Sequence, residues 1–189
     1  AALSCFTNFK TLPMYTTNRL TFLLLLVAFI ASFTACKKEV EEPPVTAAGL
    51  QAGRAAVKFS ASKAFNGNKE FNVSNTTNTL ATNEPLGGAV RNIKLEATDV
   101  YETGTPSRKA IFDLAINGYT STTIDLARSS GLPLGNIRLE SYSLFGIFRH
   151  SRSGTITVTK FTPTEIEGTF SVTFDDGMVI SNGKFAGKF

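Results

Sequence analysis

Tryptophan is absent from this chain of 189 residues, histidine occurs once and cysteine twice. Each absence removes a class of chemistry. Cys5 lies close to the first residue and Cys36 at the end of an apolar run, so the remainder of the chain has no disulfide and no cysteine zinc set. The lone His150 cannot build a His-rich metal centre, and no serine stands in an activating context for nucleophilic catalysis. No cofactor is expected. Charge is scarce as well. The formal net charge is +4, and two of the cations, Lys10 and Arg19, precede Cys36, which leaves about +2 beyond it. A nearly neutral surface offers no electrostatic case for nucleic acid.

What is present begins with the apolar run at residues 20–35, which follows Arg19 and ends on Ala35-Cys36. Its roughly 16 apolar or small residues fall short of the roughly 20 that a spanning helix needs. Basic, apolar and small-residue regions in that order form a secretory signal. The Ala35-Cys36 junction resembles the lipobox of bacterial lipoproteins, with Phe33 where leucine is usual. The resemblance implies that Cys36 carries the lipid, palmitate included, becomes the mature N-terminus and makes the membrane its partner. Met14 suits the start of the signal, so residues 14–35 are read as the signal peptide and 1–13 as upstream sequence from a mis-assigned start. Residues 36–53 hold charges, Pro43-Pro44 and small residues without apolar period, as expected of a lipidated N-terminus and flexible tether. Glu39, Glu41 and Glu42 resemble the acidic export tags of surface lipoproteins in Bacteroidota. The expected location is the cell envelope, as an outer-membrane lipoprotein on the periplasmic face or the cell surface.

Residues 54–189 are expected to form one β-domain. Apolar residues alternate with polar ones at period two, the pattern of half-buried strands. Val57, Phe59 and Ala61 mark one strand, and Phe71 and Val73 the next, beyond the turn signal Asn66-Gly67-Asn68. Ile93, Leu95 and Ala97 mark a third, and Phe112, Leu114 and Ile116 a fourth, closed by Asn117-Gly118. Thr122, Ile124 and Leu126 continue beyond that turn; 129–135 reads as a loop and 137–148 as one strand. Ile156 and Val158 precede the clearest run, in which Ile166, Gly168, Phe170, Val172 and Phe174 share a face. Asp175-Asp176-Gly177 then turns into a final strand over 178–181. About eight short strands with close turns predict an all-β fold, an antiparallel sandwich or a closed meander barrel.

The segments Ser153-Gly154-Thr155-Ile156-Thr157-Val158, Ile166-Glu167-Gly168-Thr169-Phe170 and Ser181-Asn182-Gly183-Lys184-Phe185 are similar to those of a family of small, uncharacterised lipoprotein domains from Bacteroidota, a domain of unknown function. The resemblance implies the fold and the location and assigns no activity. Gly154 is expected where a strand bends, and Gly168 where a large neighbour such as Phe170 needs room.

Candidate sites are few. Arg149 and Arg152 flank the one local concentration of positive charge and could together hold an anion, but a solvated hairpin loop is the simpler reading of 149–154. Asp175-Asp176 supplies too few oxygens for calcium. Glu165 and Glu167 lie two apart on an outer face rather than across a cleft, so no catalytic residue is assigned. Aromatic platforms for sugars use Trp or Tyr. Trp is absent, only Tyr101, Tyr119 and Tyr142 lie beyond Cys36, and the phenylalanines fall on inward positions, so the sequence argues against sugar binding without excluding it. These observations predict a lipid-anchored β-domain with a non-enzymatic binding or structural role. A lipocalin-like binder of apolar molecules is the alternative, and a carboxylate-based hydrolase the third reading.

Overall fold

The computed structural model describes residues 45–65, 67–74, 76–100, 107–127, 130–141 and 146–189. Cys36 and the segments 1–13 and 14–35 lie outside the described residues, as do Tyr101 and Tyr142. Among the described residues, ten strands follow a single-turn 3-10 helix at Ala47–Gly49. They are β1 (Arg54–Phe65), β2 (Asn68–Ser74), β3 (Thr79–Gly87), β4 (Val90–Asp99) and β5 (Arg108–Asn117). The second half adds β6 (Thr122–Asp125), β7 (Leu134–Ser141), β8 (Ile147–Phe161), β9 (Glu165–Phe174) and β10 (Val179–Lys188).

All pairings are antiparallel, in the order β2-β1-β10-β9-β8-β7-β5-β4-β3, with β6 laid beside β8. The sheet curls into a half-barrel. The curl is made by β8. Its first residues, Ile147 to His150, pair with β7, whereas Ser151 to Phe161 pair with β9. A register shift between Ser151 and Ser153 bends the strand at the crossing. Gly154 follows with φ 129°, and a Cβ there would overlap the Ser171 carbonyl, so the bend expected at Gly154 is present and only glycine fits it.

The inward faces of the two arms meet in one core. Phe59, Phe71, Phe112, Phe170 and Phe185 are each at most 3% exposed. Phe59 stacks on Phe71 at 4.9 Å between ring centroids, and Phe170 stands edge-on to Phe112 at 5.0 Å. Phe170 also stands edge-on to Phe59 at 6.0 Å and Phe112 meets Phe185 at 5.3 Å, so the rings form a continuous cluster that fills the interior among the described strands. Two glycines on neighbouring strands create the space. Gly168 faces Phe185 across the β9–β10 ladder, and a Cβ on Gly168 would come within 2.5 Å of that ring. Gly183 does the same for Phe170. The neighbour that Gly168 accommodates is therefore Phe185, while Phe170 depends on Gly183.

Several boundaries differ from the sequence-based expectation. β3 was not foreseen, because it is an edge strand with Pro85 and exposed Leu80 and Leu86, and Ala81 is its one buried apolar residue. The single strand expected over 137–148 is two, ending at Ser141 and restarting at Ile147. The last strand runs to Lys188 rather than 181, since a register shift between Ile180 and Gly183 interrupts the alternation without ending the ladder. Residues 45–53, read from the sequence as part of a flexible tether, belong to the folded unit. From Val45 the chain packs on the outer face of the sheet, where Ala47, Leu50, Ala56 and Ala186 bury one another. Ala47 N–H donates to Glu167 Oε1 at 2.8 Å, which fixes this segment to β9.

Candidate functional site

The inward row at one end of the sheet is polar where the rows behind it are apolar. Ladder register places Asp99, Arg108 and Ser141 side by side on β4, β5 and β7. Arg108 is 1% exposed, forms an ion pair with Asp99, and lies 5.5 Å from the Phe71 ring centroid. This arginine therefore joins edge strand β2 to β4 across the mouth of the half-barrel. Ser141 is 2% exposed, and its hydroxyl has no hydrogen-bond partner.

Beside this row the curl stays unclosed, because β2 and β3 end the sheet without pairing each other. A groove of about 380 Å³ lies there, walled by Asn72, Val73 and Ser74 on one side and Thr98, Asp99 and Val100 on the other, with Thr76 and Asn78 between. Its backbone is well fixed. Thr79 N–H and Oγ1 donate to Thr76 O, Thr98 N–H donates to Asn78 O at 2.9 Å, and Arg54 Nη1 donates to Thr77 O and Thr79 O. Ala81 N–H donates to Gly53 O at 2.9 Å and draws β3 to the start of β1. A second groove, about 410 Å³, lies where the chain enters the fold and shares the Asn72–Ser74 wall with Val45, Thr46 and Lys58.

The sequence offers Arg149 and Arg152 either as an anion contact or as part of a solvated hairpin loop. Neither stands on a hairpin loop, since both belong to β8. Arg149 Nε donates to Asp176 Oδ2 at 2.7 Å, and the turn is also held by Lys63 Nζ on Asp176 O at 2.6 Å. Burial works against the Asp176 charge, but the bonds from Arg149 and Met178 N–H outweigh it and hold the carboxyl below its ordinary range. Two candidates weighed separately, Arg149 and the Asp175-Asp176 turn, are thus partners in one structural contact. Arg152 and His150 are exposed on the same strand. Glu165 is ion-paired with Lys160 at 2.7 Å and Glu167 receives Ala47 N–H, so both carboxylates are engaged on the outer face. The Tyr119 ring packs on Phe161 at 4.9 Å, with the Arg91 guanidinium 5.4 Å away over its face.

Sequence reasoning missed Asp99, Arg108 and the groove. A signal existed for Arg108, which shares the inward parity of Ala110, Phe112 and Leu114. Among the described residues, no group of three or more His, Cys, Asp or Glu could hold a metal, and no helix is long and apolar enough to cross a membrane. Comparison with known proteins finds no matching family model, no similar curated protein and no similar solved structure.

Proposed function

We propose that this protein is a lipid-anchored, non-enzymatic binding domain of the cell envelope, one that holds its ligand on the surface and not inside the sheet. The observation that carries this reading is the filled interior: the Phe59–Phe185 cluster occupies the space that a lipocalin-like binder would keep open. Among the described residues, the grooves beside β2 are concave surfaces open to a ligand. The sequence pattern ending at Cys36 supports anchoring by an acylated cysteine in the outer membrane, and the resemblance to Bacteroidota lipoprotein domains supports the same location. A carboxylate hydrolase gains no support from Glu165 and Glu167, whose carboxylates are committed to Lys160 and Ala47.

Metabolic labelling with palmitate, followed by membrane fractionation, tests the anchoring. The wild-type protein is expected to carry label and sediment with membranes, and Cys36→Ser to lose the label and remain uncleaved. A labelled Cys36→Ser product, or an unlabelled wild type of mature size, contradicts the reading.

A further inference from the structure

We infer that the groove beside the end of β2 binds a neutral, hydroxyl-rich ligand, a saccharide; the inference rests on the reading above that the ligand is held on the surface. Charge points to this class first. Among the described lining residues, Asn72, Ser74, Thr76, Asn78 and Thr98 are uncharged, and the one ionic side chain, Asp99, is already paired with Arg108. Among these residues a polyanion or polycation finds no unpaired counter-charge, whereas hydroxyl groups find amides and hydroxyls that both donate and accept.

Shape and rigidity point the same way. The volume of about 380 Å³ is near the lower end for small-molecule sites, large enough for one or two sugar rings and too small for a folded partner. Val100, 58% exposed, supplies apolar surface for the C–H face of a sugar. The polar walls sit on the ends of β2 and β4, and Arg108 clamps those strands together through Phe71 and Asp99. Hydrogen-bonding groups on such a fixed frame lose little freedom on binding.

The test applies full-length protein, extracted with its anchor in detergent, to an array of neutral and acidic oligosaccharides. Retention on at least one neutral glycan is expected, unchanged by added salt and reduced tenfold or more in Asn72→Ala/Asn78→Ala. Both side chains are exposed, and the Asn78 carbonyl that accepts from Thr98 stays in place, so the variant keeps its fold and melting temperature. Retention of no neutral glycan, equal retention by the variant, or salt-sensitive binding confined to acidic glycans overturns the inference. Mass spectrometry of Cys36 in the same preparation reads the anchor separately. A lipidated protein that ignores the array sinks the saccharide alone, whereas an unlipidated one sinks the reading beneath it.

Discussion

The ring of Phe170 occupies the space above Gly183, its cross-strand partner, where a Cβ would collide with it. The two positions are one packing unit, and their substitutions are expected to be strongly non-additive. Phe170→Ala is expected to destabilise by about 3–5 kcal/mol, and Gly183→Ala by about 1–3 kcal/mol through overpacking. In the double variant the added methyl enters the space the ring has left, so the combined loss falls below the sum of the two. Denaturant melts of the four proteins measure the coupling; simple additivity contradicts the pairing.

Strand parity gives a second expectation. Thr169 is exposed next to buried Phe170, so Thr169→Ala is expected to change stability by well under about 1 kcal/mol. Equal losses for Thr169→Ala and Phe170→Ala in the same melts contradict the β9 register.

The polar row makes opposite predictions for two of its members. Asp99→Ala leaves a guanidinium that is 1% exposed without its carboxylate. The expected loss lies toward the lower end of the roughly 3–5 kcal/mol for a broken buried pair, because Asp99 keeps part of its surface in water. Ser141→Ala removes a buried hydroxyl that has no partner and is expected to stabilise by about 1 kcal/mol. Thermal melts check both signs.

Glu96 gives a pH dependence. Burial raises the cost of its charge, but the Lys94 hydrogen bond and the neighbouring Lys109 outweigh that and hold the carboxyl below 4.5. A depressed acid stabilises the fold above its unfolded pKa, and that contribution disappears as pH falls through the folded value. Wild type is therefore expected to exceed Glu96→Gln in stability by a constant margin near neutrality, narrowing below about pH 4.5. A margin that widens on acidification contradicts the sign.

Much of this fold was legible because period two is a local signal. Ile166, Gly168, Phe170, Val172 and Phe174 all face inward as their alternation requires. The β3 edge was not legible, since a strand whose one buried apolar residue is Ala81 carries almost no apolar pattern. The role of Gly183 was hidden for a different reason: the ring it accommodates is 13 residues away in sequence and becomes its neighbour only through the β9–β10 ladder. The Asp99–Arg108 pair was hidden likewise, because cross-strand register and not sequence spacing brings these charges together. The pairing of Arg149 with Asp176 belongs to the same class.

The central claim is that the interior is filled and that any ligand is held outside it. Crystals of the wild-type protein under xenon pressure test this most directly, with Phe170→Ala crystals as the control, since an apolar cavity takes up xenon and a packed core does not. The expected result is xenon in the space vacated by the Phe170 ring in the variant and none among Phe59, Phe112, Phe170 and Phe185 in the wild type. Xenon bound among those rings in the wild-type protein would show an open interior and contradict the claim.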